Sequence, residues 1–73
     1  MIDYADRLKK MRLKKNLNQI EVATAVGLSL RTYQRYEHGQ RQPTVDALVA
    51  LADYYDVSLD YLVGRTDNPK TNI

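Results

Sequence analysis

Arg31 and Arg35 stand four residues apart in the segment Leu30 to Glu37, LRTYQRYE, bracketed by Ser29 and Gly39. On a helix that spacing puts both guanidinium groups on one face, where like charges repel by about 0.2–0.5 kcal/mol and do nothing for an isolated helix. An anion reverses the sign. A guanidinium forks two parallel hydrogen bonds onto a phosphate or onto O6 and N7 of guanine. A glutamine amide does the same on adenine, and a threonine methyl meets the methyl of thymine. With Tyr33 set inward and about 100° of rotation per residue, Arg31, Gln34 and Arg35 share the outer face, with Thr32 beside it. Leu30 falls nearer the buried side at the helix start, and Tyr36 and Glu37 turn inward with Tyr33.

That face has to be held by the rest of the chain, whose helices are legible from their punctuation. Tyr4 to about Lys15 contains no Gly or Pro and places Ala5, Leu8, Met11 and Arg12 at helical spacing, which predicts a first helix. Asn18 is placed to cap a second helix over Gln19 to Val26, with Glu21 at the third position completing a capping box, and Gly27 supplies a left-handed exit. Ser29 caps the third helix and Gly39 stops it. So little chain separates Gly27 from Ser29 that helices two and three must cross steeply.

Pro43 and Thr44 open a fourth helix, Val45 to Asp56, with Leu48, Leu51, Ala52 and Tyr55 as its core stripe; Ser58 caps a fifth, with Leu59 and Leu62 facing the core and Gly64 at its end. Five helices without a strand predict an all-α, compact five-helix bundle. It occupies residues 1–64 as one domain and is followed by a loose polar tail over 65–73, with no internal repeat and no linker.

Composition excludes several classes. A chain of 73 residues buries only about 60% of its unfolded surface, so one small core is all it can build. Cysteine is absent, which removes disulfides and thiolate zinc sites. The longest apolar run, Ala47 to Ala52, is far short of the roughly 20 residues that span a bilayer, and a cytoplasmic protein without membrane contact is expected. The net charge of +2 conceals a division: Arg7 to Arg41 carries nine Lys or Arg against Glu21 and Glu37, whereas Asp residues dominate from Gln42 onward. One half can meet a polyanion, although solvated helix faces would give the same count.

Gln19, Ala23, Gly27, Glu37 and Gly39, together with the Pro43–Thr44 helix start and the VSLDYL segment at Val57 to Leu62, resemble the helix-turn-helix domain of phage repressor and Cro type regulators, the XRE-like family. The resemblance covers Arg7 to about Val63 and implies the lambda-repressor-like fold. It further implies that helix three enters the major groove of double-stranded DNA, with Leu30, Arg31, Thr32 and Arg35 at positions that face bases. Gln19 falls where the family touches phosphate and a neighbouring base, the backbone N–H groups at the start of helix two add to that anion site, and Arg41, with Gln40 and Gln42 nearby, is expected to contact phosphate. The DNA-binding set is therefore Gln19, Ser29, Leu30, Arg31, Thr32, Gln34, Arg35 and Arg41. Arg12 and Glu37 resemble a family pair that joins helix one to helix three, a structural role. Tyr33 and Tyr36 depart from the family's aliphatic preference, and each hydroxyl then needs a partner or water.

His38 has no Cys, second His or acidic cluster at ligand spacing, so no metal is expected, and no cofactor either. Asp53, Asp56 and Asp60 lack a nucleophile or general base, so no enzyme is expected. The lysines of helix one are read as a solvated face, and Tyr54, Tyr55 and Tyr61 as core edge or a dimer surface. The expectation is a sequence-specific transcriptional regulator, a repressor, that binds a palindromic operator as a homodimer through helix five and the tail, with Tyr61, Val63 and Ile73. The alternatives are a protein-interaction module or antitoxin-like component on the same scaffold, distinguished by a neutral helix-three face, and an RNA-binding domain, which would need exposed aromatics on the basic half.

Overall fold

Five helices follow one another in the computed structural model, which describes residues 4–70: α1 (Tyr4–Lys14), α2 (Gln19–Ala25), α3 (Leu30–Glu37), α4 (Val45–Tyr55) and α5 (Leu59–Leu62). Each of the last four starts on a residue whose side chain accepts a backbone N–H two or three positions into the helix: Asn18, Ser29, Thr44 and Ser58. At α2 the capping box is complete, with Glu21 N–H donating to Asn18 Oδ1 at 2.8 Å and Asn18 N–H donating to Glu21 Oε1 at 3.1 Å.

All five helices end alike. Asn16, Gly27, Gly39, Asp56 and Gly64 take positive φ, and the N–H of each following residue donates to a carbonyl five positions back, as Leu28 does to Ala23 at 2.8 Å. The sequence marks three of these ends with glycine. At the other two Asn16 and Asp56 serve, being among the few side chains that tolerate the left-handed region. At Gly27 (φ +75°) nothing lies within 4 Å of where a Cβ would stand, so glycine is required there by backbone conformation rather than by space.

The core is assembled from Leu8 and Met11 of α1, Val22 and Ala23 of α2, Tyr33 and Tyr36 of α3, Ala47, Leu51, Ala52 and Tyr55 of α4, and Leu62 of α5. α3 packs against both α1 and α2, while α5 packs against α4 and α1. On α4 the stripe differs by one position from expectation: Ala47 is buried and Leu48 only half-buried. The segment after Gly64 is not the loose tail expected. Over residues 65–70 it turns back, Ser58 N–H donating to the Pro69 carbonyl at 3.0 Å and Arg7 Nη2 reaching Asp67 Oδ1 at 3.5 Å. Among the described residues no helix is long and apolar enough to cross a membrane.

Candidate nucleic-acid interface

α3 is set by its two buried tyrosines. Tyr33 is 0% and Tyr36 2% exposed, which fixes the helix's rotation and turns Arg31 to solvent. Two tyrosine hydroxyls stay unpaired in the interior. Those of Tyr33 and Tyr55 are buried without a hydrogen bond of good geometry, lying beside each other and the Glu37 carboxylate. Burial pushes the Tyr55 phenol up to about 12, and raises that of Tyr33 further.

The anchor beneath α3 is an ion pair. Arg12 Nη2 donates to Glu37 Oε1 at 2.7 Å and Nε donates to Oε2 at 2.9 Å, while Nη1 donates to the Leu17 carbonyl at 2.9 Å and so also closes the end of α1. Glu37 is buried. Burial works to raise its pKa, but the Arg12 hydrogen bonds, assisted by Tyr33, Arg12's charge and Gln19, outweigh that and hold it below the ordinary carboxylate value. The Arg12 pKa is raised in turn, first by its hydrogen bond to Glu37.

Outside this anchor the expected residues fall as follows. Arg31, Leu30, Ser29 and Arg41 are exposed, and Arg35, Thr32, Gln34 and Gln19 are half-buried. Leu30 is 37% exposed, more than its place near the buried side predicted. Gln34 is less open than an outer-face residue should be, because its Nε2 donates to Gln19 Oε1 at 3.0 Å. Ser29 spends its hydroxyl on the cap, accepting from Thr32 N–H at 3.1 Å and donating to Thr32 Oγ1 at 2.9 Å, so these two side chains are tied to each other. The capping box occupies the N–H groups of Asn18 and Glu21, narrowing the anion site at the start of α2. Arg31, Arg35 and Arg41 form no ion pair with a described carboxylate.

Three other charges of the basic half are engaged, whereas the exposed Lys9, Lys14 and Lys15 form no ion pair with a described carboxylate. Arg7 lies 4.2 Å over the Tyr61 ring and reaches Asp67, Lys10 pairs with Asp6 at 2.9 Å, and Arg12 belongs to the anchor. Tyr61, expected at a dimer surface, is half-buried and carries Arg7 on one face of its ring. Val63 is half-buried too, and Ile73 lies outside the described residues. The exposed large apolar side chains after Gln42 are Val45, Val49 and Tyr54 of α4 and Leu59 of α5. One contributor escaped sequence reasoning altogether: Tyr4 Oη donates to the Arg41 carbonyl at 3.0 Å, pinning the loop that carries Arg41. Nothing local marks a contact across 37 positions.

Comparison with known proteins agrees with this fold. The helix-turn-helix family pattern fits residues 8–62. The transcriptional regulator AnsR of Bacillus subtilis is 41% identical over 66 residues, covering 90% of this chain and 57% of AnsR. The cryptic phage CTXphi transcriptional repressor RstR of Vibrio cholerae is 40% identical over 60 residues, covering 82% of this chain and 54% of RstR. The chain thus spans little more than half the length of these two relatives. Among solved structures, the P22 c2 repressor in complex with a synthetic operator superposes with a TM-score of 0.78 at 27% identity, over 82% of this chain and 91% of that one.

Proposed function

Because this chain belongs to the helix-turn-helix family of transcriptional regulators, we propose that it is a sequence-specific double-stranded DNA-binding regulator, without a catalytic role, that represses by occupying an operator. One observation carries the reading: α3, rotated by two buried tyrosines and anchored by Arg12 and Glu37, turns Arg31 outward and leaves it, Arg35 and Arg41 without an acidic partner among the described residues. The first two suit base edges and Arg41, on its pinned loop, suits phosphate. Ser29 and Thr32 work as a tied pair at the start of α3, with Leu30 offering apolar contact. This DNA-binding unit covers residues 1–64, and it works in the cytoplasm.

A single such face touches few base pairs, so specificity calls for two copies on a palindrome. The domain measures 31 × 24 × 21 Å, which fits half-sites about 34 Å apart on one side of the duplex. The exposed Val49 and Leu59 line one shallow depression and offer a contact between copies.

The test is fluorescence anisotropy on DNA from upstream of the protein's own gene and on a scrambled duplex, across a salt series. At least about a thousandfold preference for the first supports the regulator, and the salt slope then counts phosphates. Weak, equal binding to both favours the interaction module instead. Sedimentation with and without the preferred duplex tests the dimer, and a monomer under both conditions would discredit it.

A further inference from the structure

The loop between α3 and α4 carries Arg41 with little support of its own. Gln40 N–H still closes the end of α3, donating to the Arg35 carbonyl at 2.9 Å, and Thr44 already caps α4, accepting from Ala47 N–H at 3.1 Å. Between them, Arg41, Gln42 and Pro43 have one hydrogen bond to any described residue, the 3.0 Å bond from Tyr4 Oη to the Arg41 carbonyl. Packing does not take its place. The inner side of the loop borders an open cleft of about 440 Å³, walled also by Tyr4, Leu48 and Val63, rather than the packed core. What meets the loop is the first turn of α1. Besides the Tyr4 bond, Gly39 lies so close to α1 that a Cβ there would stand 3.8 Å from that of Ala5.

Peptide geometry turns this single bond into an orientation. In a trans peptide the carbonyl of one residue and the N–H of the next point to opposite sides. Tyr4 draws the Arg41 carbonyl toward α1, so the Gln42 N–H faces the other way, and it has no partner among the described residues. Pro43 restricts Gln42 further, because the residue before a proline is confined to extended backbone. Arg41 and Gln42 are both exposed. Without the Tyr4 bond the loop would have to be ordered at the moment of binding, and that cost would be subtracted from affinity.

Resting on the regulator reading above, we propose that Tyr4 is a positioning residue for the grip on the DNA backbone: by holding the Arg41 carbonyl inward, it keeps Arg41 and the neighbouring N–H turned toward phosphate. Affinity common to all duplexes is then governed from the first turn of α1, 37 positions from the contact itself, and separately from the α3 face that reads bases.

The Tyr4 ring packs against the core, so Tyr4→Phe keeps that packing and removes only the hydroxyl. The experiment compares wild type, Tyr4→Phe, Arg41→Ala and the double variant, each as the full chain, on a duplex that the wild type selects from a randomised library and on a scrambled one, across a salt series. Unfolding midpoints and backbone amide NMR spectra of the free proteins accompany the titrations. Tyr4→Phe is expected to weaken both duplexes alike by about threefold to tenfold and to leave their ratio unchanged. Arg41→Ala is expected to lower the salt slope by about 0.9, the value of one phosphate contact. The double variant should lose less than the product of the two single losses. In the free protein, Tyr4→Phe is expected to shift the Gln42 amide resonance and leave those of α3 in place. If Tyr4→Phe binds both duplexes as the wild type does, multiplies fully with Arg41→Ala, changes the ratio between duplexes, or leaves the Gln42 resonance unmoved, the positioning role is overturned while the regulator reading stands. If the wild type itself enriches no duplex, the regulator reading fails and the proposal with it.

Discussion

α3 and α4 are both bounded by a hydroxyl cap and a left-handed stop, yet they are held in opposite ways. α4 is held chiefly by apolar burial, through Ala47, Leu51, Ala52 and the ring of Tyr55. α3 adds to its two buried tyrosines a charged anchor, Glu37 against Arg12, and amide hydrogen bonds through Gln19. Apolar packing sets where a helix lies but tolerates small rotations and repacking. Hydrogen bonds to a buried carboxylate are directional, and they leave the polarity of neighbouring side chains determined. On the proposed reading, the helix that presents polar groups to DNA is the one fixed by polar groups from behind, and its buried carboxylate has a single countercharge, Arg12.

That contrast can be broken from either side. The largest loss is expected from Glu37→Ala, which leaves Arg12 without its partner and should cost about 3–5 kcal/mol. That is a large share of the roughly 4–11 kcal/mol a domain of this length commands, and urea unfolding measures it. Leu51→Ala, in the apolar frame of α4, is expected to cost about 2–5 kcal/mol. It should leave the relative preference among duplexes unchanged at temperatures where the protein is folded. If Leu51→Ala altered base preference as much as Arg31→Ala does, the division between the two regions would not hold.

A smaller and separable effect is expected on pH. Glu37 is held below its ordinary value of 4.5, so its contribution is complete above that pH and is lost as pH falls through the lower folded value. The tyrosine phenols act at the other end. The folded state keeps Tyr55 protonated up to about 12 while the unfolded chain ionises near pH 10, so stability falls as pH rises between the two. Thermal melts across pH should show both limbs, and Tyr55→Phe should flatten only the alkaline one.

Much of the molecule was legible in the sequence because helix ends are local chemistry. Asn18 with Glu21, Ser29, Thr44 and Ser58 announce the starts, and Gly27, Gly39 and Gly64 announce three of the stops. Once Tyr33 was set inward, the inward turn of Tyr36 and Glu37 followed from helical period, and the Arg12–Glu37 pair followed from the family resemblance. What escaped depends on how helices cross. The Gln19–Gln34 contact, the Tyr4 bond to Arg41, the Arg7 stack on Tyr61 and the return of Pro69 to Ser58 join residues far apart in sequence, whose spacing carries no signal. Asn16 and Asp56 were missed because a polar residue at a left-handed stop looks like any surface residue.

The most direct test of the central claim, that the outer face of α3 reads sequence, is the ratio of affinities for a selected duplex and a scrambled one in Arg31→Ala and Arg35→Ala. A base-reading arginine predicts a loss of about 1–3 kcal/mol on the selected duplex, with little change on the scrambled one. Equal losses on both would show that the arginines grip only the backbone and would contradict the account.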